Sequence, residues 1–148
     1  METASIDIRR TDDRRAAVAL GVGAGLDERG PGDVDVAALW GAYDGDVLVG
    51  TVTLGTLHGL TVVSWLAVDE AYRGRGLGRL LLAELEAETR RRGGREVWAP
   101  AQAPGFFKAV GYEESAAGDE REALLADCLQ CRRFGKACRP QVVVKRWS

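Results

Sequence analysis

Val62-Val63-Ser64-Trp65-Leu66-Ala67-Val68-Asp69-Glu70-Ala71-Tyr72-Arg73-Gly74-Arg75-Gly76-Leu77-Gly78, with the leucine-rich run behind it, decides the fold. Val62 to Val68 is a short apolar run rich in β-branched and aromatic residues, which predicts a buried strand. Beyond it, Leu77, Leu81 and Leu85 recur four apart, with Leu80 three beyond Leu77. That spacing predicts an amphipathic helix burying this stripe, with Arg79, Glu84, Glu86, Glu88 and Arg90 on its charged outer face. Glu86–Arg90 and Glu88–Arg92 are spaced to pair along the helix, while Glu84–Glu88 opposes them. Arg90, Arg91 and Arg92 complement the negative helix end, and Gly93-Gly94 stop it.

The loop between strand and helix carries the chemistry. Gly74, Gly76 and Gly78 alternate at the start of the helix, where glycine lets a backbone approach a ligand closely. The first N–H groups of a helix have no internal partner, and the helix dipole favours negative charge there. Arg73, Arg75 and Arg79 add positive side chains, so a diphosphate suits this place. A dinucleotide fingerprint G-x-G-x-x-G would need glycine at position 79, which is Arg79. A Walker A loop needs Gly-Lys-Ser/Thr, and none of the three lysines, Lys108, Lys136 and Lys145, follows this loop.

The 148-residue length predicts one domain over residues 1–148. Hydrophobic content of 46% and charged content of 28% are ordinary for a soluble globule. A formal net charge of −2 gives no reason to expect a nucleic-acid partner. The start, Met1-Glu2-Thr3-Ala4-Ser5, lacks the basic and apolar regions of a signal peptide. The uncharged run from Val47 to Val68 holds Gly50, Gly55, Gly59, four threonines, Ser64 and His58, which favours two strands joined at His58-Gly59 over a membrane span. A cytoplasmic location is expected, and three cysteines, an odd number, fit a reducing compartment.

Taken in order, Ser5 to Arg9 predicts a first strand, and Thr11-Asp12-Asp13 a cap for a helix with Val18 and Leu20 on its apolar side. Leu20 to Asp33 is glycine-rich and reads as a loop. Val36 to Tyr43 and Val47 to Leu57 predict strands joined at Asp44-Gly45. After the central helix come a strand over Glu96–Ala99 and a short helix over Gly105–Val110. An extended segment resumes at Gly111-Tyr112, and Ser115 to Glu122 reads as an exposed loop. A helical turn at Ala123–Leu129 and a final strand over Gln141–Trp147 complete a mixed α/β chain.

Arg73-Gly74-Arg75-Gly76-Leu77-Gly78 matches R/Q-x-x-G-x-G/A, preceded by Leu-Ala-Val and followed by a leucine-rich helix. It resembles the acetyl-CoA loop of the GCN5-related N-acetyltransferase (GNAT) superfamily. The resemblance runs from the first strand to Tyr112, most sharply over Val62–Tyr112. It implies an α/β (α+β) fold: a mixed, mostly antiparallel sheet of about six to seven strands with about four helices. Strands four and five would be parallel and splay apart, and acetyl-CoA, the cosubstrate, would enter the gap. Leu66, Ala67 and Val68 match positions whose backbone pairs with the pantetheine arm, one N–H polarising the thioester carbonyl. Arg73, Gly74, Arg75, Gly76, Leu77, Gly78 and Arg79 match the pyrophosphate cradle. Gly105-Phe106-Phe107-Lys108-Ala109-Val110-Gly111-Tyr112 resembles a later family segment. There Phe107 stands where many members have a tyrosine that protonates the leaving thiolate. Phenylalanine has no proton to give, so that role is left to water or another residue. Phe106 and Phe107 read first as core, and Phe107 also as a contact to the pantetheine arm.

The catalytic residues stay unassigned. An amine attacks a thioester only when neutral, so a base or water chain must take a proton. Asp69, Glu70 and Glu96 read first as turn or strand-end charges, and His58 as a hairpin-tip residue. No cysteine or serine shows a base–orienter pattern, so a covalent acetyl-enzyme is disfavoured. Cys128, Cys131 and Cys138 offer three of the four ligands that structural zinc usually takes, with His58 a remote fourth, so no metal is expected; reduced thiols are the favoured reading and a redox pair Cys128–Cys131 the alternative. Six basic residues between Cys128 and Ser148, with no acid, read first as a solvated charge cluster, with a hold on an acceptor carboxylate as the alternative.

Phe-Phe in place of tyrosine and the C-x-x-C segment are similar to the short N-acetylglutamate-synthase-like amino-acid acetyltransferases. The expected function is therefore an acetyl-CoA-dependent N-acetyltransferase acting by direct attack in a ternary complex, with glutamate or another free amino acid as first acceptor. A peptide, lysine or aminoglycoside amine is the alternative acceptor, and a non-catalytic acyl-CoA-binding sensor the alternative function. The expected partners are a small-molecule amine and, in many such domains, a second copy, with no nucleic acid or membrane.

Overall fold

The computed structural model describes residues 6–23, 35–101, 104–115, 118–121, 123–124 and 141–147. In chain order the strands are β1 (Ile6–Arg10), β2 (Asp35–Asp44), β3 (Val47–Leu57), β4 (Leu60–Val68), β5 (Glu96–Ala101), β6 (Glu113–Glu114) and β7 (Gln141–Arg146). The helices are α1 (Arg14–Gly23), α2 (Leu77–Arg91) and α3 (Pro104–Ala109), with a 3-10 turn at Glu70–Tyr72. The strands form one seven-stranded sheet in the order β1-β2-β3-β4-β5-β7-β6. Every neighbouring pair is antiparallel except β4 and β5, which are parallel.

The turn residues set the registers. Gly45 has φ +62°, and His58 and Gly59 have φ +53° and +78°. Two consecutive left-handed residues suit the twist of a two-residue hairpin, and the β3–β4 pairing runs out to Leu57 opposite Leu60. Between β3 and β4, Leu54 lies opposite Val63 and Thr53 opposite Trp65, so Ser64 is the extra residue of a bulge. At the start of α1, Asp13 Oδ1 accepts the Ala16 N–H at 3.1 Å, as the capping sequence predicts.

The main core gathers Trp40, Val52, Leu54, Val63, Val97 and Val143 from the sheet with Leu77, Leu81, Leu82 and Leu85 from α2. A second cluster joins Val62, Trp98, Leu124, Val142 and Val144. Helix α1 packs on β3 and β4, and Trp65 Nε1 donates to Ala17 O at 3.0 Å. Ala17 and Gly21 are the buried residues of this helix, whereas Val18 and Leu20 are only half-buried. The contact is close enough that small residues displace the larger apolar ones from it.

Several local expectations are corrected. Leu80 is 48% exposed, and Leu82 is buried in its place. Both positions fit a helical stripe, and the lie of α2 on the sheet selects the second. Glu86 pairs not with Arg90 but with β7, where Lys145 Nζ donates to Oε1 at 3.1 Å. Tyr112 Oη donates to Glu86 Oε2 at 2.9 Å, and Lys145 also donates to Val110 O at 3.0 Å. Arg90 lies over the Trp147 ring instead. Ser115 is buried rather than part of an exposed loop, and its N–H donates to Val142 O. The cysteine segment lies outside the described residues.

Glu86→Ala would leave a cation and a buried phenol short of their shared acceptor. It is expected to destabilise the fold by about 2 kcal/mol, read from urea unfolding, with Glu86→Gln losing less because it still accepts from Tyr112. Glu88 accepts from Arg91 at 2.7 Å and from Arg92 at 2.7 Å. The hydrogen bonds from Arg92 and Arg91 lower its pKa from 4.5 to about 2. A depressed carboxylate stabilises the fold above about pH 4.5, and that contribution is lost as pH falls towards 2. Glu88→Gln should therefore flatten the acid limb of a plot of urea midpoint against pH. An unchanged limb would show that the pair contributes nothing.

Candidate functional site

Strands β4 and β5 meet at a single register pair, Val62 with Trp98. Beyond it β4 continues for six residues, held by β3 along one edge only. Leu66, Ala67 and Val68 pair with Val52, Thr51 and Gly50 on that side and have no β5 partner on the other. The two strands thus bound a wedge, closed near Val62 and open near Val68. An unpaired strand edge presents N–H and C=O groups to any extended chain laid beside it. A pantetheine arm, with its amides, is such a chain.

At the open end the chain turns through Glu70–Tyr72 into the glycine loop. Asp69 caps this turn, its Oδ1 accepting the Ala71 N–H at 2.9 Å, while the Asp69 N–H donates to Val49 O at 2.8 Å. Gly74 and Gly76 adopt φ +81° and +79°, the left-handed region that side chains other than glycine rarely occupy. Left-handed residues alternating with others turn successive N–H groups towards one concavity, an arrangement that binds anions. Gly76 is the N-cap of α2 and supplies no side-chain cap, and the first hydrogen bond of the helix is from Leu80 N to Gly76 O. The Leu77, Gly78 and Arg79 amides therefore have no partner within the helix. A Cβ built at Gly74 or Gly76 meets nothing within 4 Å, so this side of the loop is open.

The arginines are held in different ways. Arg73 Nε donates to Val68 O at 3.2 Å, tying the loop back to the end of β4. Arg75 lies with Cζ 5.0 Å from the Tyr72 ring centroid, and its Nη1 is buried without a hydrogen-bond partner. A buried guanidinium nitrogen short of an acceptor marks a place that an anionic oxygen would complete. Tyr72 donates its hydroxyl to Asp44 Oδ2 at 2.5 Å, and this bond raises the phenol's pKa. Arg79 is exposed on the first turn of α2.

Phe107 is 7% exposed and sits in the main core, with its ring edge-on to those of Phe106 and Tyr112. The ring next to the glycine loop is Phe106, whose Cζ lies 3.3 Å from a Cβ built on Gly78. Tyr112 is buried, and desolvation and Glu86 raise its pKa.

Of the candidate bases, Glu70 is exposed in the 3-10 turn, and the other three have structural duties or lie elsewhere. Asp69 is a turn cap. Glu96 accepts from Arg146 Nε at 3.2 Å and from Trp98 Nε1 at 2.5 Å. His58 is exposed at the hairpin before β4, whereas the glycine loop follows β4. Nine strand residues separate them, roughly 30 Å. Ser64, whose Oγ is buried without a partner at the bulge, is not among the candidates that the motifs mark. A single polar residue in an apolar run is the signal that pointed there. Among the described residues, no group of His, Cys, Asp and Glu is placed to hold a metal ion, and no helix is long and apolar enough to cross a membrane.

The family model for the acetyltransferase (GNAT) domain matches residues 35–114, more than half of the chain. An uncharacterized N-acetyltransferase of Chlorobaculum tepidum is 35% identical over 86 residues, which cover 58% of this chain and 55% of the relative. The blasticidin-S acetyltransferase of Streptomyces morookaense is 43% identical over 74 residues, 47% of this chain and 51% of that protein. The chain thus spans about half the length of these curated relatives. Among solved structures, the N-acetylglutamate synthase of Neisseria gonorrhoeae, complexed with coenzyme A and N-acetyl-glutamate, superposes with a TM-score of 0.71 at 17% identity. That match covers 97% of this chain and 35% of the synthase, and at this identity it shows a shared fold.

Proposed function

Since the chain belongs to the GNAT acetyltransferase family, whose cosubstrate is acetyl-CoA, we propose that it moves an acetyl group from acetyl-CoA to a primary amine. The reading covers one domain, a small-molecule acceptor, a cytoplasmic location and no nucleic-acid or membrane partner, and it admits a homodimer. The observation that carries it is the β4–β5 wedge with the glycine loop at its open end. In this reading the amides of Gly74 to Arg79, with Arg73 and Arg75, hold the pyrophosphate. The free edge of Leu66, Ala67 and Val68 lines the pantetheine arm, and Phe106 closes the wedge beside Gly78.

The amine attacks the thioester carbonyl directly, the C–S bond breaks, and CoA leaves as the thiol. A strand N–H beside Leu66 would stabilise the charge developing on the carbonyl oxygen. Phe107 supplies no proton, and Tyr112 donates its own to Glu86, so water or another residue protonates the leaving thiolate. The acceptor we put first is a free amino acid such as glutamate. The named likenesses divide on this point, between blasticidin S and N-acetyl-glutamate. A peptide, lysine or aminoglycoside amine is the alternative.

A panel of amino acids and amines, assayed for acetyl-CoA-dependent release of CoA thiol, tests the reading. It needs a blank for the protein's own three cysteines. Turnover confined to glutamate and close relatives is the expected result. Acetyl-CoA binding by calorimetry with no turnover on any amine would replace the transferase reading with an acyl-CoA sensor.

A further inference from the structure

Ser64 stands out when the wedge is followed inwards from the glycine loop. Three observations coincide at it. It is the extra residue of the β3–β4 bulge, between Val63 and Trp65. It lies two residues beyond Val62, the last β4 position paired with β5, and so at the closed end of the wedge. Its Oγ is buried and has no hydrogen-bond partner. A buried hydroxyl without a partner is costly and uncommon. Serine normally avoids the cost by bonding to nearby backbone, and bulges commonly re-aim a side chain beside an active site.

We propose that Ser64 is an acceptor-contacting residue, its hydroxyl accepting a hydrogen bond from the N–H of the incoming amine; this rests on the transferase reading given above. The cradle is at one end of the unpaired β4 edge, after Val68, and Ser64 is at the other. The span is about 13 Å at strand rise, so an arm running inwards from the phosphates ends with its acyl group near the bulge. The amine must reach that carbon. Neutral nitrogen keeps its lone pair for the carbonyl while one of its N–H groups is held by Oγ. Nitrogen and carbon join, carbon and sulfur part, and the surplus amine proton leaves to water. Serine itself is too weak a base to keep it.

The Ser64→Ala variant tests this, because structure and function here call for opposite outcomes. Removing an unpartnered hydroxyl should raise Tm by a few degrees. The same change should lower kcat/KM for the acceptor about 10- to 100-fold while leaving the Kd of acetyl-CoA within about two-fold. The Ser64→Cys variant fills almost the same space with a poor hydrogen-bonding group and should lose acceptor kcat/KM in the same way. A fall in Tm for Ser64→Ala would show that the hydroxyl serves the fold and would overturn the proposal. Wild-type turnover with acceptor kcat/KM unchanged in Ser64→Ala would overturn it too, and would leave the transferase reading standing. No wild-type turnover on any amine would overturn both.

Discussion

Gly76→Val is expected to weaken acetyl-CoA binding by about 100-fold or more while leaving the protein folded. The expectation comes from weighing two effects. A Cβ at position 76 meets no atom within 4 Å, so there is no clash to unfold the chain. The backbone at φ +79° is the obstacle, since a side chain in the left-handed region costs about 1–2 kcal/mol, and more when β-branched. The loop relieves that strain by turning Gly76 out of the left-handed region, and the amides of Leu77, Gly78 and Arg79 then lose their shared aim. Each hydrogen bond to a charged oxygen is worth about 1.5–3 kcal/mol, so losing two suffices for a 100-fold change. Tm should fall by only a few degrees. Calorimetry on the variant checks both sides, and binding within a few-fold of wild type would mean that the loop is not the cradle.

Gly21→Ala is the second large effect, and it acts on folding. A methyl there would lie 2.2 Å from Trp65 Nε1 and 2.3 Å from Cε2, far inside contact distance. The indole has no room to yield, being 5% exposed and bonded through Nε1 to Ala17 O. Alanine in place of helical glycine gains about 1 kcal/mol of intrinsic propensity. Overpacking costs about 1–3 kcal/mol, and loss of the indole bond leaves a buried donor costing about as much again. The balance is destabilisation by about 3 kcal/mol, a drop in Tm of about 10 °C. A more stable Gly21→Ala protein would show that α1 rides loosely on β4.

The parts of this site that the sequence displayed are those fixed by local chemistry. Asp44-Gly45 and His58-Gly59 mark hairpins because left-handed φ values select such residues. Gly74, Gly76 and Gly93 bracket α2 for the same reason. What stayed hidden depends on partners distant in the chain. Leu80 and Leu82 both satisfy a helical stripe, and only the sheet decides between them. Glu86 has Arg90 one turn away, yet Lys145 and Tyr112 claim it, since the shielded site rewards two donors arriving from β7 and the α3–β6 connection. The bulge at Ser64 shifts the alternation of β4 by one residue, and in Val-Val-Ser-Trp-Leu-Ala-Val the apolar residues on both faces mask the shift. The splay of β4 from β5 follows from the family resemblance alone, and no local pattern in either strand encodes it.

Hydrogen–deuterium exchange with and without acetyl-CoA tests the central claim most directly, because it reads the backbone amides said to hold the cofactor. The account predicts that saturating acetyl-CoA slows exchange in peptides spanning Leu66–Val68 and Gly74–Arg79, with little change around His58 at the far end of β4. Acetyl-CoA binding that leaves those two segments exchanging as before would contradict it.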